Sequence, residues 1–262
     1  KVLNKQVFKS GVFSIVPIRF EDRIDIMNWR NEQMYHLRQD KPLTEKSQED
    51  YFNGSVARLF DHEKPNQILF SYLKNGRCIG YGGLVHINWI DKNAEISFVL
   101  NTNLESNEFS FHWSNYLGLI EKVAFNELFL HKIFTYAFDL RPHLYPILEN
   151  ENYKNTAILN EHCFFEDTFI DVHIHEKKNP FSLRKAKQED IKLLFKWVND
   201  PEVRKNALNT DLIEWENHLN WFKNKLLNSK NKIFIFENGN TKIGQIRIDK
   251  ADKERWVIDY SI

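Results

Sequence analysis

The sequence predicts a mixed α/β sheet with flanking helices, because segments with strand patterns alternate with segments of helical apolar spacing. Residues 13–18 alternate in polarity and are rich in β-branched side chains, whereas residues 21–31 carry apolar residues at helical spacing. A strand followed by a helix is therefore expected. The same opening pattern returns after residue 180, which indicates an internal repeat.

Residues 44–178 continue this alternation. Thr44 can cap a second helix, and the turn Asn75-Gly76 between two apolar runs is typical of a β-hairpin. Pro142 can open a short helix near the end of the unit. The pattern predicts the following order: helix 44–60, strands 67–73, 78–87 and 94–100, helix 109–128, strand 131–139, helix 142–150, and strands 157–164 and 169–175.

Composition excludes several classes of protein. With 262 residues, 42% of them hydrophobic, the chain can bury a core, and 36 basic residues balance 36 acidic residues. No global field therefore draws it to nucleic acid or to an anionic membrane, and neither partner is expected. No run of about 18 apolar residues and no secretion signal is visible, so a cytoplasmic location is expected. The two cysteines, Cys78 and Cys163, do not make a disulfide framework.

The repeat predicts two domains, 1–178 and 179–262, with the charged, proline-containing stretch 176–180 as the boundary. The second unit matches only the first half of the first unit. It is therefore expected to complete a pocket of the first unit or to cover an open sheet edge. The matching segments are Phe181-Ser-Leu-Arg184 with Phe13-Ser-Ile-Val16, Trp197-Val-Asn199 with Trp29-Arg-Asn31, 242–248 with 77–83, and 257–262 with 94–99.

The first unit resembles the acyltransferases of the GNAT superfamily. The resemblance lies in Trp29-Arg30-Asn31, the hairpin 67–84, the strand Ala94-Glu-Ile-Ser-Phe98 and the segment 128–138. It implies a GNAT mixed sheet with flanking helices, followed by a partial second GNAT-like unit, and an acyl-CoA or coenzyme A co-substrate.

A narrower similarity concerns the segments 136–142, Glu161-His162 and 171–175. They look most like bacterial enzymes that N-acylate nucleotide-linked amino sugars, in particular dTDP-3-amino-3,6-dideoxyhexoses. This implies transfer of an acetyl or a hydroxyacyl group such as 3-hydroxybutanoyl, a nucleotide-sugar partner, a role in lipopolysaccharide or O-antigen biosynthesis, and a possible homo-oligomer. Two alternatives are a protein N-terminal or small-amine acetyltransferase and a non-catalytic GNAT-like binding module.

The resemblance also implies where the acyl donor binds. The strand 133–138 should splay from strand 94–100, so that the pantetheine arm fills the gap. Family members carry Gln or Arg, then Gly, then Gly or Ala at the start of the following helix, but Glu108, Phe111 and Trp113 occupy the corresponding positions here. Main-chain N–H groups can still bind phosphate there, although a Glu opposes it. The expected donor-binding residues are Phe98, Val99, Leu100, Ser110, Phe111, His112, Trp113, Phe138 and Arg141.

Attack of an amine on a thioester needs a base, and a carboxylate in the cleft can supply one. Glu95 is the candidate; the alternative is that it faces solvent or pairs with Arg30. His162 is a second candidate base, because imidazole titrates near neutral pH. The family's tyrosine that protonates the leaving thiolate falls on Leu148. Tyr145, nearly one turn earlier on the same helix, is the candidate to replace it, and protonation by solvent is the alternative.

The acceptor pocket is expected at the end of the first helix and on the hairpin. Gly80, Gly82 and Gly83 in one strand suggest a bulge or a close approach of backbones. Asp171, His173 and His175 share a strand face, but no further ligands lie close in sequence, so no metal site is expected. The expected acceptor-binding residues are Trp29, Arg30, Tyr35, Tyr81, Gly82, His86 and Trp89.

Overall fold

A computed structural model describes residues 2–37, 39–228, 230–252 and 254–261. The chain divides into two compact units, Lys1–Asn179 and Pro180–Ile262. In the described part of the chain, no helix combines the length and apolar character needed to span a membrane.

An eight-stranded sheet forms the centre of the first unit, in the order β1-β2-β3-β4-β5-β6-β8-β7. Only β5 and β6 run parallel; every other neighbouring pair is antiparallel. The mixed α/β sheet predicted from the sequence is confirmed. The strands are β1 (Phe8–Ser10), β2 (Phe13–Pro17), β3 (Ile68–Lys74), β4 (Arg77–Asn88), β5 (Asn93–Leu100), β6 (Lys132–Phe138), β7 (Lys154–Phe165) and β8 (Thr168–Lys178).

In the described part of the first unit, seven α-helices flank this sheet. Thr44 caps α3 through a capping box with Ser47, as its position before the helix predicts. Two π-helical turns, Phe52–Val56 and Lys122–Glu127, extend α3 and α6. The helices are α1 (Arg23–Glu32), α2 (Met34–Leu37), α3 (Glu45–Tyr51), α4 (Ala57–Leu59), α5 (Thr102–Asn107), α6 (Phe109–Glu121) and α7 (Tyr145–Asn150).

Apolar side chains bury both faces of the central strands. Ile96 and Phe98 of β5 pack with Tyr116 of α6, and the Phe98 and Tyr116 rings stack with centroids 3.9 Å apart. Val99, from the opposite face of β5, packs in a second cluster with Trp29 of α1. Since side chains alternate along a strand, Glu95 shares the face of Val99.

Close backbone approach explains the glycines of β4. A Cβ atom at Gly82 would lie 2.0 Å from the carbonyl oxygen of Ser97 in β5, and one at Gly83 would lie 2.0 Å from that of Ile68 in β3. The strand is therefore held between its neighbours at distances that exclude a side chain. Gly82 is a packing position in β4.

The second unit repeats a strand, helices and a meander of three strands. Its four strands form a separate antiparallel sheet in the order β12-β11-β10-β9, and Leu194, Phe222 and Ile235 lie in its core. The elements are β9 (Phe181–Lys185), α8 (Ile191–Val198), α9 (Pro201–Lys205), α10 (Trp215–Leu227), β10 (Asn231–Asn238), β11 (Thr241–Lys250) and β12 (Trp256–Ser261).

Candidate active site

The strands β5 and β6 pair along only three residues and then separate. The paired positions are Asn93 with Lys132, Ala94 with Ile133 and Glu95 with Phe134. Beyond them, β5 continues to pair with β4, and β6 continues to pair with β8 on its other side. Beyond these three pairs, the two strands are no longer paired with each other, which opens a gap between their facing main-chain edges. The splay expected from the sequence is present.

A cleft of about 720 Å³, partly open to solvent, occupies this gap. It draws residues from four regions: the segment around α2, the strand β5, the helix α6, and β6 with the turn after it. The lining residues are His36, Leu37, Glu95, Ile96, Ser97, Phe98, Trp113, Thr135, Tyr136, Ala137, Phe138, Arg141 and Leu144.

Glu95 lies at the apex of the cleft, because it is the last residue of β5 to pair with β6. Its side chain is 24% exposed, and Nε2 of His86 lies 3.9 Å from its Oε2. Burial raises the pKa of Glu95, and the nearby His86 lowers it by a smaller amount. A carboxylate with a raised pKa at the point of a cleft is suited to accept a proton from a substrate.

Two buried polar groups in the cleft have no hydrogen-bond partner among the residues that the structure describes. They are the indole Nε1 of Trp113 and the hydroxyl of Thr135, and both side chains are 3% exposed. Buried polar groups are normally satisfied, so these two indicate a ligand with an acceptor and a donor of its own. The amides of a pantetheine arm meet that requirement, and the residues of the gap fit this part of coenzyme A.

The phosphate end of the cleft departs from the family pattern. Arg141 is bound by Glu105 of α5, with Nη1 and Oε1 2.8 Å apart. Glu108 precedes α6 without capping it through its side chain, and the aromatic residues Phe111 and Trp113 stand at the positions of the small residues.

The other predicted donor residues have packing roles. Val99 and Leu100 are buried in the cores, and the carbonyl of Leu100 accepts a hydrogen bond from Gln33. His112 is fully buried, with Nδ1 3.1 Å from the Tyr72 hydroxyl. Neither His112 nor the exposed Ser110 lines the cleft. Phe111 is half exposed and contacts Phe13 instead of closing the gap.

Arg30 and the hydroxyl of Tyr81 form the best-defined contact among the predicted acceptor residues. Arg30 Nη1 donates to this hydroxyl at 2.6 Å, and Arg30 Nε donates to Gln39 at 3.2 Å. The guanidinium is thus oriented by neutral partners and keeps its positive charge available. The expected alternative, a pair between Arg30 and Glu95, is not among the ion pairs of the described residues. Trp29 is buried in the core.

His36 was missed by the sequence analysis, although it lines the cleft. Its ring is buried against Gln33 Oε1 at 3.1 Å, and the exposed Tyr35 packs edge-on against it. Burial, followed by the positive charge of Arg141, lowers the pKa of His36 to about 3. Neutral imidazole therefore faces the cleft near neutral pH. A helix of four residues carries His36, and so short an element leaves little periodicity to detect.

None of the predicted acceptor residues is part of the cleft lining, and the predicted catalytic residues Tyr145 and His162 also lie outside it. The indole of Trp89 donates to the carbonyl of Pro65 at 2.8 Å, which is a structural contact. The Tyr145 hydroxyl donates to Asp139 at 2.9 Å, and burial together with that bond raises the pKa of Tyr145. Its proton is thus committed to Asp139. His162 is exposed on β7, its ring 6.1 Å from that of Tyr136.

Asp171 and the two histidines beside it are engaged in other contacts. The Asp171 carboxylate accepts from the main chain of Glu161, and His173 bonds to Asn155 while the rings of His173 and His175 stack on Tyr145. Across the residues that the structure describes, no group of three or more His, Cys, Asp or Glu side chains is arranged to hold a metal ion.

Solved structures share this architecture. Spermidine N-acetyltransferase from Vibrio cholerae, in complex with CoA and spermine, matches with a TM-score of 0.55 and 18% identity, over 65% of this chain and 97% of that one. The dodecameric form of that enzyme in an intermediate state matches with a TM-score of 0.54 and 17% identity, over 65% and 95%. At this identity the similarity shows a common fold. No curated protein sequence gives a significant match.

A family profile described as an acetyltransferase (GNAT) domain matches residues 15–174, which is more than half of the chain. The matched segment runs from β2 to β8 and includes both strands of the cleft. The chain therefore belongs to the GNAT acetyltransferase family.

Proposed function

We propose that this protein transfers a short acyl group from acyl-CoA to the primary amine of a nucleotide-linked amino sugar of the dTDP-3-amino-3,6-dideoxyhexose class. The observation that carries the transferase proposal is the position of Glu95, whose half-buried carboxylate lies where β5 and β6 separate. A thioester held in the gap would lie beside this carboxylate.

Glu95 is the general base of the proposed reaction. It accepts the proton that the amine loses as the new N–C bond forms and the C–S bond of the thioester breaks. Main-chain N–H groups late in β5 bind the developing oxyanion, and solvent protonates the leaving thiolate. His162 is less suited as the base, because it is exposed and outside the cleft lining.

The charge of the cleft supports an anionic acceptor. Glu95 is the one carboxylate among the described residues that line it. Arg30, held by the Tyr81 hydroxyl, adds a guanidinium on the expected acceptor side. A guanidinium binds phosphate oxygens well, whereas a polycation is repelled by it. These charges favour a sugar nucleotide over a polyamine.

A small amine is the second candidate acceptor, and the fold similarity to spermidine N-acetyltransferases favours it. Those proteins share less than a fifth of their residues with this chain, so the common fold does not carry their acceptor over to it. We therefore infer the acceptor from the side chains of the cleft. Two further alternatives, acylation of a protein N-terminus and a non-catalytic binding role, are distinguished by the thiol-release test described next.

Thiol release discriminates these functions. The full chain is incubated with acetyl-CoA or 3-hydroxybutanoyl-CoA and with dTDP-amino sugars, spermidine or peptides, and free thiol is followed over time. Release with amino-sugar nucleotides alone supports the proposal. Release with spermidine or peptides overturns the proposed acceptor, and the absence of both release and CoA binding overturns the transferase itself. Glu95→Gln is the matched control, because it keeps the size of the side chain but cannot accept the proton of the amine.

A further inference from the structure

A buried ion pair joins the two sides of the cleft at the end where the phosphates of the acyl donor are expected. Arg141 follows β6 and lines the cleft, and Glu105 lies on α5, which follows β5. Their side chains are 2.8 Å apart between Nη1 and Oε1. The pair therefore connects the ends of the two strands whose separation creates the gap.

This pair is incompletely satisfied. The side chains of Arg141 and Glu105 are only 14% and 12% exposed, and Oε2 of Glu105 is buried without a hydrogen-bond partner. Removing charges from water is repaid only when their remaining donors and acceptors are also bonded. Glu105 is thus a weak partner for a buried guanidinium.

A phosphate is a better partner for Arg141 than Glu105 is. It can accept two parallel N–H bonds from the guanidinium and has further oxygens for other donors. The guanidinium carbon lies 5.8 Å from the ring centroids of both Phe109 and Trp113, near the start of α6. The N–H groups of residues 109–111 precede the first i to i−4 bond of this helix, which His112 donates to Glu108, and the Glu108 side chain does not cap them. An anion held by Arg141 would lie near these donors.

The unpartnered Trp113 Nε1 and Thr135 hydroxyl are an independent sign of a ligand in the same gap. We propose that Arg141 binds a phosphate of the acyl donor, and that Glu105 occupies Arg141 until the donor replaces it. Glu105 thereby sets the affinity of the protein for its donor. This inference rests on the proposed function and assigns a role to a carboxylate that the transfer chemistry does not use.

Calorimetric titration of the full chain tests the exchange. The ligands are CoA and pantetheine, which has the same thiol arm without phosphates, and the proteins are wild type, Glu105→Gln and Arg141→Gln. Glu105→Gln is expected to bind CoA about tenfold more tightly, and Arg141→Gln about tenfold more weakly, which is about 1.4 kcal/mol each way. Pantetheine should bind all three proteins equally.

Glu176→Gln is the matched control. It breaks the Lys132–Glu176 pair, which also has a 2.8 Å contact and a largely buried carboxylate but lies outside the cleft lining, and CoA binding should not change. Thermal unfolding shows that each variant is folded. The inference is overturned if folded Glu105→Gln binds CoA as the wild type does, or if pantetheine gains as much affinity as CoA. Thiol release by the wild type would then still support the transferase, whereas a wild type without CoA binding or thiol release overturns both.

Discussion

The imidazole Nε2 of His86 lies 3.9 Å from the carboxylate of Glu95, at the point where two parallel strands separate. Burial favours the protonated carboxyl of Glu95, whereas a positive charge on His86 favours the ionised form. The balance between these two effects sets the pH at which the carboxylate can act as a base.

Glu95→Gln should lower kcat by about 10²- to 10⁴-fold, the range for loss of a general base. The amide keeps the size of the side chain but cannot take the proton, so the affinity for CoA should change little. Thiol-release kinetics and CoA titration measure the two effects separately. A folded variant with wild-type kcat would exclude Glu95 as the base.

The rate should fall as the pH is lowered through the pKa of Glu95, because only the ionised carboxylate accepts a proton. Since burial raises this pKa, the acidic limb of the kcat/KM profile should lie above the range of an ordinary carboxyl group. His86→Asn removes the charge and retains a residue type that tolerates the positive φ of 50° at this position. The acidic limb of the kcat/KM profile of this variant should shift to higher pH. A limb at the same or a lower pH would contradict the assignment of Glu95 as the titrating base.

Gly82→Ala should destabilise the first unit by about 1–3 kcal/mol or more, because the added Cβ would lie 2.0 Å from a main-chain oxygen of the neighbouring strand. Gly118→Ala is the matched control in α6: the added Cβ has nothing within 4 Å. It should stabilise the helix by about 0.5–1 kcal/mol. Urea unfolding of both variants checks the opposite signs, and equal effects would show that the strand spacing can relax.

Asp190→Asn should destabilise the second unit by about 2 kcal/mol, a typical value for a charged hydrogen bond. The fully buried Asp190 side chain accepts two bonds from Arg184, at 2.7 and 2.9 Å, and one from Lys242 at 3.1 Å. The bonds from Arg184 hold the pKa of Asp190 well below its usual range.

Because the pKa of Asp190 is depressed, the stability that Asp190 contributes depends on pH. Its contribution is fully present above the ordinary carboxyl pKa of about 4 and is lost as the pH falls toward the pKa of the folded state. The protection factors for hydrogen exchange in β10 should therefore fall more steeply with acid in the wild type than in the variant. Parallel pH profiles would show that Asp190 contributes no charge-dependent stability.

Local patterns were sufficient to predict β2 to β8 and the larger helices, whereas the three-residue strand β1 was missed. The capping box at Thr44 and the hairpin turn Asn75-Gly76 depend on neighbouring residues, and both are found in the structure. Glu95 could be placed on a strand face because its neighbours Ala94 and Ile96 are apolar and alternate with it. The short helix α5 was missed, since Asn101 and the six polar and apolar residues after it show no helical apolar stripe.

Long-range partners account for the part of the site that the sequence did not predict. Arg141 and Glu105 are 36 residues apart, and no periodicity relates them. The indole of Trp89 bonds to a carbonyl 24 residues away, which turns an expected acceptor residue into a structural one. Burial of His36 depends on helices and strands that meet only in the folded chain.

The separation of β5 and β6 leaves the large sheet connected at this point by only three residue pairs. The strands on the two sides of this short β5–β6 pairing are therefore expected to move partly independently of each other. An extended ligand bound in the gap between β5 and β6 would contact both strands and thereby connect the two parts of the sheet. Saturation with CoA should then raise the melting temperature and slow hydrogen exchange on both sides together, since a ligand that binds only the folded chain stabilises it.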